Sequence, residues 1–149
     1  MNEYWGIDEG KVDSSLFFRL LPKYFLHATT FYAEGTSISL DVIECYTKHL
    51  ENGEHLPGTQ TLFPRSKKFR CSFSPEFMAS LALLAEQHAE PELLDHLFLY
   101  KGDEPLLEWH DAFANAILIS RNVPESIVSG LAKELGLKYG KAGFGQRAL

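Results

Sequence analysis

The chain has 149 residues, of which 45% are hydrophobic and 23% charged, with eleven Phe among them. At this length a single domain buries about 70% of the surface of its unfolded chain, so one substantial core is expected and disorder is excluded for most of the sequence. The net charge of −6 disfavours nucleic acid as a partner, and no apolar run approaches the ~20 residues that span a bilayer.

The opening stretch MNEYWGIDEG places acidic residues where a secretory signal carries a basic region and an apolar run. A cytosolic location of the bacterial type is expected, with Cys45 and Cys71 as reduced thiols rather than a staple.

In DSSLFFRLLPKYF, Asp13 or Ser14 caps a helix whose apolar positions are 16, 17, 20 and 21, and Pro22 predicts a kink or a second short helix. The Thr-, Phe- and Tyr-rich ATTFYAEG, residues 28–35, predicts a strand that stops at a glycine. Val42, Ile43, Tyr46 and Leu50 fall at helical spacing, predicting a helix over 40–51 with Gly53 as its C-cap. Residues 55–74 contain two prolines and a glycine before an alternation at 69, 71 and 73, which predicts a long loop with a short strand near its end.

Ser74 and Pro75 open a helix with Phe77, Leu81, Leu84, Ala85 and His88 on one face, so His88 is expected in the core. HLFLY at 96–100, LLEWHDAF at 106–113 and AILIS at 116–120 predict an antiparallel meander. A last helix is expected from Asn122, with Glu125 completing a capping box and Gly136 ending it. The expected fold class is α+β, a mainly antiparallel sheet carrying about four helices in one domain over 1–139. Residues 140–149 read as a flexible tail.

Several groups of residues bear on chemistry. On a strand over 106–112, Glu108 and His110 share one face while Leu107, Trp109 and Asp111 share the other. Leu107 and Trp109 mark the buried side. Glu108 and His110 then face solvent, as an acid–base couple if a pocket adjoins them, with Glu34 at the end of the first strand as helper. Cys45 and His49, four apart on a helix and followed by His55, have the spacing of a weak metal site without the second ligand pair that structural zinc requires.

Gly35-Thr36-Ser37 precedes a helix, yet no Walker lysine and no Gly-x-Gly-x-x-Gly accompanies it, so no cofactor is expected and Ser37 or Ser39 reads as an N-cap. The basic run PRSKKFR, 64–70, reads either as a grip for an anion or a nucleic acid strand, with Phe69 as a stacking platform, or equally as a solvated loop, and the chain's acidity makes nucleic acid the minor option. Residues 76–120 carry nine carboxylates against Lys101 alone, a field that attracts a basic partner. The expected function is therefore a non-enzymatic binding module, of the kind of immunity protein that neutralises a basic toxin. Its contacts would be Asp103, Glu104, Glu108, His110 and Asp111. The alternative is a small enzyme built on Glu108, His110 and Glu34.

Overall fold

The computed structural model describes residues 3–51 and 66–142. Over these residues the chain forms β1 (Tyr4–Ile7), α1 (Ser14–Tyr24), β2 (Thr30–Gly35), α2 (Leu40–Lys48), β3 (Lys67–Ser72), α3 (Pro75–Ala85), β4 (His96–Lys101), β5 (Glu104–Trp109), β6 (Ile117–Ser120), α4 (Glu125–Leu135) and β7 (Tyr139–Ala142). The fold is α+β. The strands make one seven-stranded sheet in the order β3-β2-β4-β5-β6-β1-β7, antiparallel at every neighbouring pair.

Asp13 caps α1 by accepting from the Leu16 amide, and the helix is continuous through Pro22 rather than broken into a hairpin. Pro22 sits in the last turn, where it forgoes a single bond to the preceding turn, and the ladder continues past it to Phe25, whose amide donates to the Leu21 carbonyl at 2.8 Å. Ser74 accepts from the Phe77 amide and Pro75 occupies the first turn of α3, as a proline there requires. The meander is present as β4, β5 and β6, with a register shift between Leu99 and Tyr100 that bends β5 around Leu106.

Four expectations are corrected. α2 stops at Lys48 because Leu50 turns to bridge Cys71 on β3, and Gly53 lies outside the described residues. α4 starts at Glu125, not Asn122: Pro124 is its N-cap residue and Asn122 donates its side-chain amide to Glu104. α3 ends at Ala85, and His88 lies beyond it, bonded to Asp41, Ser39 and Glu92 instead of packed in the core. Two strands are additional, β1 near the amino terminus and β7, which takes residues 140–142 out of the expected tail and pairs them along β1.

All four helices pack on the same side of the sheet in one core. Alternation directs Phe31, Leu97, Leu99, Leu107, Trp109, Ile117, Ile119 and Ile7 into it. The rings interlock: Phe17 of α1 lies 4.7 Å from Trp109, Phe77 of α3 5.3 Å from Phe31, and Tyr46 of α2 5.1 Å from Phe69. Tyr46 places its hydroxyl on the Leu93 carbonyl at 2.7 Å, which satisfies the one polar atom it buries.

Candidate functional site: the open face of the sheet

Because strand side chains alternate, the residues between the core positions point to the other side, where no helix of the described residues lies. Their register is continuous across all seven strands: Arg70, Tyr32, Phe98, Glu108, Leu118, Gly6 and Gly140 stand side by side. Six strand spacings of about 4.8 Å make this row roughly 29 Å long. It runs from a cation through two aromatic rings and a carboxylate to an aliphatic side chain and bare backbone.

At the β3 end, Arg70 pairs with Glu51 at 2.7 Å and lies over the Tyr100 ring at 5.8 Å. The Glu51 bond holds its guanidinium firmly charged. Tyr32 and Phe98 meet edge to face, centroids 5.6 Å apart. Burial, with Glu34 and Tyr100 close by, raises the Tyr32 phenol, which therefore remains a proton donor at neutral pH.

At the centre, His110 Nε2 and Glu108 Oε1 are 3.0 Å apart. The His110 ring edge meets Phe98 at 5.2 Å, and His96 lies 6.0 Å away. The strand itself ends at Trp109, and the chain turns sharply through Asp111 (φ 47°) and Phe113 (φ 71°). Asn115 braces the turn by donating its side-chain amide to the His110 carbonyl at 3.1 Å, while its own carbonyl accepts from the Trp109 indole at 2.8 Å. Thus the core residue Trp109 positions the next residue, His110, on the opposite face.

Leu118 is 8% exposed although it lies on the open side and outside the main core. It forms the shared floor of two open depressions. One, of about 440 Å³, is bordered by Glu3, Tyr4, Glu104, Leu106, Glu108 and Arg121. The other, of about 720 Å³, is bordered by Gly6, Asp8, Glu9, His110, Asn115 and Gly140. Among the described residues, neither has a helix residue in its wall. Arg121 belongs to the first wall, pairing with Glu3 at 3.1 Å with its guanidinium 4.3 Å over Trp5.

The residues expected at a site are therefore partly together. Glu108 on β5 and His110 in the turn beyond it, rather than on a strand over 106–112, are bonded to each other, and Glu104 joins Glu108 around the smaller depression. Asp103 lies in the β4–β5 turn, and Asp111 sits in the turn after β5 with its amide bonded to His96. Glu34 stands beside His96 on β2, separated from the couple by β4, and accepts from the Ser66 hydroxyl. The acidic stretch as a whole is divided: Glu86 pairs with Arg19, Asp95 accepts from the Thr36 amide, and Glu92 caps Ala89.

Cys45 and His49 do not face a common ion. The His49 ring donates from Nδ1 to the Cys45 carbonyl at 2.9 Å and stacks on Phe77, while burial raises the Cys45 thiol to about 11. His55 lies outside the described residues. The sequence reading missed Glu3, Asp8 and Glu9, which β1 brings to the same face from the far end of the chain. Their clustering in NEYWGIDEG was visible, but nothing local told which strand they would flank.

No family model matches the chain, and comparison with curated proteins and with solved structures gives no significant match.

Proposed function

We propose that this chain is a cytosolic, non-enzymatic binding module that engages a basic protein partner, as an immunity-type protein engages a toxin. Its working surface is the open face of the sheet rather than the helical side. The observation that carries this reading is the one-sided packing. Four helices cover one face and leave a row of rings, a carboxylate and a buried leucine on the other, and a sheet face of that character is normally covered by a second layer. Carboxylates predominate around the two depressions, with Glu3, Glu104, Glu108, Asp8 and Glu9 set against Arg121 and Lys141. That charge balance favours a cationic partner.

The test is capture from the source cell at low and high salt by the wild type, by Phe98→Lys on the open face and by Leu83→Lys on the helical side. A basic partner held by the wild type and by Leu83→Lys, but lost with Phe98→Lys and weakened as salt rises, supports the reading. Equal capture by both variants contradicts it.

A second reading, a small enzyme using Glu108 and His110 as its acid–base couple, is favoured by their 3.0 Å bond beside a depression. His110→Gln separates the two, because it abolishes turnover in an enzyme and leaves a binding surface largely intact.

A further inference from the structure

The row of open-face residues ends in an unusual pair. Gly6 and Gly140 face each other across β1 and β7, next to Leu118, at positions where any other residue would project a side chain into the larger depression. Among the described residues, a Cβ built on Gly140 meets nothing within 4 Å, and one on Gly6 meets only the Ala142 Cβ, at 3.3 Å. The floor there is peptide plane, exposed at Gly140 and buried at Gly6, beside the largely buried side chain of Leu118. Glycines inside strands mark places where another group approaches the backbone closely.

On the rim, Asp8 and Glu9 are exposed. Among the described residues neither carboxylate has a hydrogen bond or ion pair, whereas Glu3, Glu104 and Glu108 around the smaller depression are all engaged. Flat backbone, an aliphatic wall and two free carboxylates, set against Lys141 in the same lining, are complementary to an arginine side chain. Arginine has a planar, weakly hydrated guanidinium that stacks on flat surfaces and pairs with carboxylates through a fork, on a stem that packs against apolar atoms.

Resting on the binding-module reading, we infer that the partner seats an arginine in the Gly6–Gly140 depression, its stem along Leu118 and its guanidinium over the paired glycines toward Asp8 and Glu9. Lysine fits less well, because its compact ammonium is strongly hydrated and gains nothing from a flat floor. An aromatic ring would use the floor and leave the carboxylates unmatched. The partner surface is thereby specified as basic at the β1–β7 end and apolar over Phe98 and Tyr32.

The test is a titration of the full chain, followed by amide NMR, with three probes: the acetylated amides of arginine, lysine and tryptophan. The expected result is saturable shifts at Gly6, Leu118 and Gly140 with the arginine probe. The lysine probe should bind at least about fivefold more weakly. Gly140→Val, whose side chain enters open space, should remove the shifts while leaving the rest of the spectrum unchanged. Asp8→Asn with Glu9→Gln should weaken binding about tenfold, as loss of a charge-assisted bond does.

Three results overturn the inference: shifts that survive Gly140→Val, a tryptophan probe that binds this depression more tightly than arginine, or stronger probe binding in Arg147→Ala, which would mean that the chain's own arginine is the occupant. Failure here is separable from failure of the binding-module reading. If partner capture remains sensitive to Phe98→Lys but unaffected by Gly140→Val, the open face binds and the arginine seat is wrong.

Discussion

Trp109→Ala tests the link between core and site. The indole is 1% exposed and touches Phe17 and Phe113 at centroid distances of 4.7 and 4.6 Å. A buried Trp removes about 150–250 Å² from water, which at ~25 cal/mol per Å² is roughly 4–6 kcal/mol, less the share that alanine retains. The cavity left under Phe17 adds a cost, and the indole bond to the Asn115 carbonyl contributes about 1 kcal/mol. Because Asn115 is exposed, water can replace that bond, so the total should fall in the range of about 3–5 kcal/mol. At roughly 2–4 °C per kcal/mol for a chain of this size, the Tm should drop by about 10 °C. Urea unfolding followed by circular dichroism measures it, with His110→Ala as the companion variant. His110 is 44% exposed on its side chain and should cost within about 0.5 kcal/mol. A loss below 1 kcal/mol for Trp109→Ala, or equal losses at both positions, would refute the assignment of these neighbours to opposite faces.

His88 is placed to make stability depend on pH. Its bond to Asp41, with Glu92 on the other ring nitrogen, raises its pKa above 6.5. A group raised in the folded state stabilises fully below its unfolded pKa and loses that contribution as pH rises through the folded value. The urea midpoint should therefore fall as pH rises above about 6.5 in the wild type, and His88→Gln should flatten that limb. Cys45 and Cys71 are held up to about 11 and 12 by burial. Both should react with a thiol reagent at pH 8 only as the chain unfolds, and fast reaction of either in the native protein would show that its pocket opens.

What the sequence made legible follows a physical division. The meander was readable because KGDEP is a strong turn signal and the flanking runs are rich in apolar and aromatic residues. α3 was readable because Ser74 and Pro75 act within one turn. The face of Glu108 followed from period two alone, whereas His110 lies past the end of β5 and is held beside Glu108 by the turn through Asp111. β1 and β7 were not readable: each is four residues long, each contains a glycine, and each is held by the other and, for β1, by β6 more than a hundred residues away. The start of α4 was misread because Asn122 and Glu125 imitate a capping box. Pro124 instead keeps the chain extended, and Val123 gives its carbonyl to the Trp5 indole at 3.0 Å.

His88 fell on the helical stripe by spacing, but α3 tightens after Ala85 and three side chains from other segments claim the ring. The open face was the least legible feature. Tyr32, Phe98 and Tyr100 have the pattern of an inner face as much as an outer one, and only the placement of all four helices decides between them.

The most direct measurement is site-specific photo-crosslinking in the source cell, with a benzophenone amino acid at position 98 in one variant and at position 83 in another. Phe98 lies at the centre of the open face, and Leu83 is 58% exposed on α3 on the far side. The account predicts a single basic protein crosslinked through position 98 and none through position 83. Crosslinks through position 83 alone, or an acidic partner through position 98, would contradict it.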